Sequence, residues 1–389
     1  MSRNIILADN AEARLSLLPL TFTRPIARLL TGLFTIEERW QRYLPGEYSY
    51  LTADYLSEVF PLRESGDDNL IIDSRVIADR QLAEAVAALR MGEGLMAGDV
   101  LVARRGAVED EPESIMEYEG PVTVINRPFD VFLTNGASLE SDFAEVTRGR
   151  TSQPLPPSCM VIGDASRLFI EDGATVSGAV INVETGPVYI GRGATVMEGA
   201  CMRGPIAVLD HSTVNMGAKI YGATTIGPHS KVGGELNNVV IIGYSNKAHD
   251  GFLGNAVIGE WCNLGAGCTA SNLKNDYTEI KLWNYASRRF QRTGLQFCGL
   301  IMGDHSKAGI NTMFNTATVL GVGVNVHGTG FPRNFVPSFS DGSAAGFSEQ
   351  SFQKFLDVAA RVMARRDRTL GEAEVRMYEA LYSLTETYR

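Results

Sequence analysis

The 389-residue chain is poor in several things that would point to particular chemistries. It has five cysteines, at 159, 201, 262, 268 and 298, with no CxxC pair, so no disulfide framework or thiolate metal knuckle is expected. The thiols read as free and mostly as small core residues. Positive charge is scarce: 35 Lys and Arg stand against 45 Asp and Glu, a net charge of −10, which argues against general binding of nucleic acid or an anionic membrane. No apolar run approaches the roughly 18–20 residues of a membrane span. The opening MSRNIILADN has too short an apolar run for a signal peptide and already carries Asp9. The expected compartment is the cytoplasm. There are only five histidines, and His211, His229, His305 and His327 are scattered, so no metal-ligand cluster is expected.

Glycine, in contrast, is plentiful and uneven. Of 40, 29 lie between 151 and 346, ten lie before and one after. The middle of the chain is therefore a different kind of structure, entered through the stiff PLPP run at 154–157. From Ile190 a small aliphatic or Met residue recurs every six positions: Ile190, Val196, Met202, Val208, Val214, Ile220, Ile226 and Val232. Four residues after each comes a mostly small one, among them Ala194, Ala200, Ala218 and Ser230. Six is neither a helical nor an alternating period. It suits a short strand plus a tight corner, three of which make one triangular turn of a parallel β-helix with one aliphatic per hexad pointing inward. Residues 243–256 compress the spacing, and 270–298 abandon it. In a solenoid such interruptions become loops on one face, often the binding face.

Around this segment the patterns change. In the first 150 residues, NIILAD (4–9), YSYLTA (48–53), NLIID (69–73), DVLVA (99–103) and PVTVI (121–125) read as strands, and 31–44 and 80–91 as helices, giving a small α/β domain. From Ser348, apolar residues return at helical spacing, with a break at Gly371, and the two helices are expected to cap the open end of the solenoid. The expected organisation is an α/β domain over 1–150, a β-helix over 159–335 and a helical segment over 348–389.

The densest chemistry lies in 245–277. His249 stands in a repeat-breaking loop between Lys247 and Asp250, and reads either as a general base or as an exposed loop histidine. Asn263 and Asn272 flank the small-residue corner LGAG (264–267), where a ligand can approach the backbone and an N–H can face an oxyanion. Lys219, Lys231, Lys247 and Lys274 suit a phosphorylated ligand or are simply solvated.

With these residues in view, the hexads and the run NKAHDGFLGNAVIG-WCNLGAG-TASN over about 160–330 resemble the acetyltransferase half of bifunctional GlmU enzymes, in the alternative branch of Bacteroidetes-type bacteria. Those enzymes are glucosamine-1-phosphate N-acetyltransferases and N-acetylglucosamine-1-phosphate uridylyltransferases. The resemblance implies a left-handed parallel β-helix behind a nucleotidyltransferase-like α/β domain, and a homotrimer with sites between neighbouring solenoids. It implies acetyl-CoA as cosubstrate, with His249 as the catalytic base and the Ala266 N–H at the thioester oxygen. Asn263 and Asn272 would hold the sugar and orient the base, Lys247 falls in the same pattern as a substrate contact, and Gly309 would touch the cofactor.

The chain also departs from the family. The sugar-contacting tyrosine is Phe252 and a phosphate-contacting lysine is Asn238, leaving Lys231 and Glu235 for a rearranged pocket. Nucleotidyltransferases of this class open with a strand and a glycine loop; here NIILAD is followed by NAEARLSLLPLTFTRPIARL without a glycine. LPLT (18–21) and TRP (23–25) still echo the family, with Ile26 where its lysine stands, so Arg24 or Arg28 would meet the nucleotide. Asn126 and Asp130 follow a strand end where such sheets bind ligands, and Asp130 is the candidate Mg²⁺ ligand. The expected function is N-acetylation of an amino-sugar phosphate, coupled to UTP-dependent formation of UDP-N-acetylglucosamine. The alternatives are a sugar-1-phosphate nucleotidyltransferase with a scaffolding β-helix, and a non-catalytic sugar-nucleotide-binding protein.

Overall fold

The computed structural model describes residues 3–389. Six strands form the front sheet: β1 (Asn4–Ala8), β2 (Glu47–Leu51), β3 (Asn69–Asp73), β4 (Glu93–Ala97), β5 (Val100–Gly106) and β6 (Ser114–Glu117), in the order β2-β1-β3-β5-β4-β6. β1 runs parallel to β2 and β3, and its Ile5, Ile6 and Leu7 are fully buried, as a central strand covered on both faces requires. Around the sheet lie α1 (Ala11–Ser16), α2 (Ile36–Tyr43), α3 (Arg80–Ala87) and α4 (Asp130–Thr147). α2 begins with a capping box between Thr35 and Glu38. The strand expected at 121–125 shortens to Thr123–Val124 and pairs with Val76–Ile77 outside the main sheet. β4, β6, α1 and α4 were not anticipated by the sequence pattern.

Beyond the proline run the chain winds as a parallel β-solenoid with three ladders of short strands. The first face stacks Val180–Asn182, Cys201–Arg203 and Lys219–Tyr221; the second stacks Val188–Ile190, Ile206–Val208 and Thr224–Ile226; the third stacks Thr195–Val196, Thr213–Val214 and Lys231–Val232. The eight hexad residues from Ile190 to Val232 are at most 2% exposed and form the prism's core. The compressed stretch arises because two long strands, β7 (Glu235–Gly243) and β8 (Phe252–Glu260), each run across two faces. The bend within each is a single left-handed asparagine, Asn238 (φ 57°) and Asn255 (φ 46°), in place of a longer corner. The excursion at 270–298 forms a hairpin, Lys281–Asn284 with Arg289–Arg292, which packs back through Trp283 on Phe335 and Tyr285 on Phe22.

At the far end an antiparallel strand, Gly346–Glu349, covers the edge of Ser340–Ser343. α5 (Phe352–Ala364) and α6 (Glu372–Leu384) follow. Instead of capping the prism, α5 runs back along one of its corners. Phe355 packs on Phe339 near its start, and just past its end Arg366 donates to the His229 carbonyl and to Asn246 Oδ1. The rings along this corner stack from His211 through His229, Tyr244 and Trp261 to His305. Three of the histidines that look scattered in sequence, His211, His229 and His305, thus share one structural role, while His327 is exposed and meets Asp341 at 3.0 Å. Burial holds the His305 pKa well below the usual imidazole value, and neither ring nitrogen has a hydrogen-bond partner among the described residues. Arg376 of α6 pairs with Glu58, so the C-terminal helices tie the solenoid to the front domain.

Candidate functional site

His249 lies at the corner where the third face turns into the first, and its side chain is exposed. The stacking register places it between Gly234 on one coil and Ala266 on the next. Below it the coil must be glycine, because a Cβ on Gly234 would come within 2.7 Å of the His249 carbonyl oxygen. Above it, the Gly267 N–H donates to the Asp250 carbonyl (3.0 Å), which locks the two corners together. Ala266 is exposed as well. Its carbonyl accepts from the Asn311 N–H at 2.7 Å, while its own N–H finds no acceptor among the described residues. An imidazole and a free backbone donor therefore sit on adjacent coils of one edge. Gly309, one coil further on, is half-buried, and a Cβ on Gly265 would meet it at 2.8 Å.

The other candidates distribute around this edge. Lys231 and Asn263 point outward from the third face and are exposed. Glu235 and Phe252 are neighbours in register on the first face; Glu235 accepts from the Tyr221 hydroxyl at 2.7 Å and lies 3.8 Å from Lys219. Asn272 belongs to the opposite edge of the first face, where its amide donates to Asn255 Oδ1 at 2.8 Å. Two residues require correction. Lys247 does not face substrate: it occupies the inward hexad position, is 1% exposed, and donates to the carbonyls of Gly233 (3.1 Å) and His249 (2.5 Å). Burial lowers its pKa to about 8. Asn238 also lies away from His249. With its amide oriented to satisfy its neighbours it donates to the carbonyls of Phe132 and Ala223, both at 3.3 Å, and so anchors α4.

In the front domain the nucleotide candidates separate. Asn126 and Asp130 lie by the carboxyl edge of the parallel strands, where a 340 Å³ cavity is lined by Asp9, Asn10, Asp73, Arg75, Asp99 and others. Arg75 joins them: it holds both oxygens of Asp73 and donates to Asn126 Oδ1 at 2.9 Å. Asp73, Arg75 and Asp99 were missed in the sequence, although Asp73 ends a strand the pattern had marked. Arg24 is elsewhere. It is buried at the junction with the solenoid, paired with Asp304 and Glu260, so the reading that sends it to the strand-edge nucleotide is corrected. Arg28 pairs with Glu37 at 2.9 Å and lines the same junction as Arg24.

The fit to Mg²⁺ is thin. Asp130 Oδ2 accepts from the Asn126 and Arg127 N–H groups, both at 2.8 Å, Asp73 is engaged by Arg75, and Asp9 by Arg14. No group of three or more metal-ligating side chains gathers among the described residues. An ion there would need substrate phosphates to complete its shell. In place of a glycine loop after β1, the chain forms α1, capped by Asn10, with Arg14 turned inward onto Asp9. Among the described residues no helix is long and apolar enough to cross a membrane.

Residues 5–151 match the family model described as sugar nucleotidyl transferase. The chain is similar to the bifunctional protein GlmU of Methanocaldococcus jannaschii, 24% identical over 284 residues, covering 71% of this chain and 61% of that protein. It is also similar to the bifunctional sugar-1-phosphate nucleotidylyltransferase/acetyltransferase of Sulfurisphaera tokodaii, 26% identical over 222 residues, 56% of this chain and 48% of that one. The chain thus spans roughly half to three-fifths of the length of these curated relatives. Among solved structures, a UDP-N-acetylglucosamine acyltransferase from Campylobacter jejuni aligns over 58% of this chain and 95% of its own, with 12% identity and a TM-score of 0.35. The resemblance to GlmU-like proteins noted in the sequence is supported by these relatives.

Proposed function

We propose that this chain is an acetyl-CoA-dependent N-acetyltransferase for an amino-sugar phosphate, with glucosamine 1-phosphate as the acceptor. The observation that carries the reading is the pairing of exposed His249 with the acceptor-free Ala266 N–H on adjacent coils. His249 takes the proton from the sugar amine as its nitrogen attacks the thioester carbonyl carbon. The Ala266 N–H donates to the oxygen as charge develops there. The attack forms the C–N bond; collapse re-forms the carbonyl, breaks the C–S bond and releases coenzyme A thiolate, which takes the proton held by His249. Lys231 and Asn263 on one side of the edge, and Glu235 and Phe252 on the other, would receive the phosphate and sugar.

His249 and Asn272 stand at opposite edges of the first face, so one chain cannot close a pocket with both. In a homotrimer the edge of one solenoid meets the face of the next, and the residues would converge there. Met216 and Ile310, 70% and 71% exposed, lie on the same corner column as His249 and supply apolar surface for such a contact. The front domain would use the strand-edge cavity for uridylyl transfer, with Mg²⁺ arriving on the nucleotide. Its support is the family match over 5–151 together with Asp73, Arg75 and Asn126 at the strand ends.

Coenzyme A release from acetyl-CoA and glucosamine 1-phosphate tests the first reaction. His249→Ala should lower the rate roughly 10²–10⁴-fold, and an active protein indifferent to the change would overturn the assignment. Pyrophosphate release from UTP and N-acetylglucosamine 1-phosphate tests the second.

A further inference from the structure

The largest cavity described, 540 Å³, is in neither of these places. It lies between the front domain and the solenoid, on the side opposed to the His249 edge, and has the volume and the domain-junction position common for small-molecule sites. Its walls carry five guanidinium groups and four carboxylates. The balance of donors and acceptors is more informative than the charge. Each carboxylate is engaged by a donor of the protein, Glu171 through both oxygens and the other three through one. Glu171 holds Arg150 through both oxygens (2.7 and 2.8 Å) and also accepts from the Tyr189 hydroxyl. Glu38 accepts from Thr35 in its capping box, Asp210 from the Arg192 N–H, and Glu260 from Arg24.

Two guanidinium groups, in contrast, have no such partner. The Arg192 and Arg42 side chains have no carboxylate within 4.0 Å among the described residues; Arg42 is held instead over the Phe34 ring, 4.5 Å from its centroid. Arg24, 4% exposed, keeps its Nε–H buried without an acceptor among the described residues. A wall whose carboxylates each have a protein donor while two guanidinium groups have no carboxylate favours an anion with several oxygens, and Arg presents its fork to phosphate in that way. The rest of the wall is apolar and aromatic: Leu30, Leu33, Phe34, Leu209 and Ile242. That surface needs a planar or apolar body attached to the anion, and the volume exceeds what a lone phosphate fills.

We infer that this junction cavity binds a nucleoside phosphate, its phosphates on Arg192 and Arg42 and its base on the Phe34–Ile242 wall, at a site separate from both reaction centres. Thr23 and Arg24 on one wall and Glu260 on the other belong to the contact joining the domains, so the ligand would bridge them.

Isothermal titration of the full chain with UDP, and separately with inorganic phosphate, tests this. Both arginines are solvent-accessible, so Arg42→Glu/Arg192→Glu should fold, which an unchanged melting temperature would verify. The wild type should bind UDP, and the double variant should lose about 10–100-fold in affinity at one site. Asp73→Asn, at the strand edge, should leave that site's isotherm unchanged. If UDP also occupies the strand edge, two equivalents per chain should fall to one. UDP binding unaffected by the double variant would overturn the inference, as would a wild type that binds inorganic phosphate alone or neither ligand. A protein without acetyl transfer that still loses UDP binding through Arg42 and Arg192 would leave it standing.

Discussion

At the inward position of the third face the successive coils carry Val214, Val232, Lys247, Leu264, Ala308 and Val326. A lysine in that series breaks the repeat at the residue two before His249, and its ammonium is spent on two corner carbonyls, one of them that of His249. Burial of the amine holds its pKa near 8, below the usual lysine value, so the folded state releases a proton that the unfolded chain keeps. The sign follows directly. Below pH 8 the penalty of the buried charge is fully present, and between pH 8 and about 10.5 the unfolded chain binds more protons, so wild-type stability gains relative to a variant without the amine. Lys247→Met should therefore compare most favourably with wild type at pH 7, and its relative standing should drop by about 2 kcal/mol at pH 10 in urea melts. Lys307, whose pKa burial also lowers to about 8, is present in both proteins and cancels. A stability difference that does not change with pH would show that the amine does not titrate inside the prism. His249 itself was legible as a repeat-breaking histidine, but the choice between base and loop residue came only from the resemblance. The inward turn of Lys247 was not legible, because a compressed coil shifts the register by an amount the hexad count does not reveal.

The elements show the same division between what a repeat announces and what a contact decides. The hexads were legible because every coil repeats one demand, an aliphatic inside and a small residue near the corner, and all eight inward residues are buried as that demand requires. α4, the longest helix described, was missed because polar residues interrupt its buried apolar stripe. Asn135, Ser138 and Asp142 are buried at helical spacing among Val131, Phe132, Leu139, Phe143 and Val146. Asn135 Oδ1 accepts from the Gly32 N–H (2.7 Å) and the Thr225 hydroxyl (3.0 Å), while its Nδ2 donates to the Ala223 carbonyl (2.8 Å). Asp142 accepts from the Leu33 N–H and pairs with Arg39. A hydrophobic-period reading scores such a helix as surface loop, whereas its partners are in a distant part of the chain. Asn135→Leu keeps the volume but leaves the buried Gly32 N–H unpaired, while the Thr225 hydroxyl keeps the Gly32 carbonyl (2.9 Å) and the Ala223 carbonyl keeps Asn238. It should cost about 1–3 kcal/mol in denaturant unfolding, and no measurable loss would mean that water replaces the amide.

For the whole molecule, the front domain and the solenoid are joined by a buried polar lock as well as by apolar packing. Arg24 meets Asp304, Thr23 donates to the same carboxylate at 2.6 Å, and Asp304 Oδ1 receives the Glu260 N–H at 2.8 Å. The TRP run that echoes a nucleotide-binding segment is thus spent on joining the two domains, which explains how the chain can keep those residues while lacking the glycine loop. A buried pair of this kind is sensitive to losing one partner and tolerant of losing both. Arg24→Met should destabilise by about 3–5 kcal/mol because Asp304 is left buried without its cation. Arg24→Met/Asp304→Leu should recover part of that loss, since the buried Asp304 charge is gone, although Glu260, a third exposed, loses its cation and the Thr23 hydroxyl and the Glu260 N–H lose their acceptor. Thermal unfolding of the four proteins of this cycle gives the coupling. Additive losses would mean that the two side chains do not share a buried environment, and the junction, with the cavity beside it, would then be looser than the geometry describes. Strong coupling would make the docking of the two domains a property of these few residues, and any ligand lodged between Arg24 and Glu260 would then act on the attachment of one domain to the other.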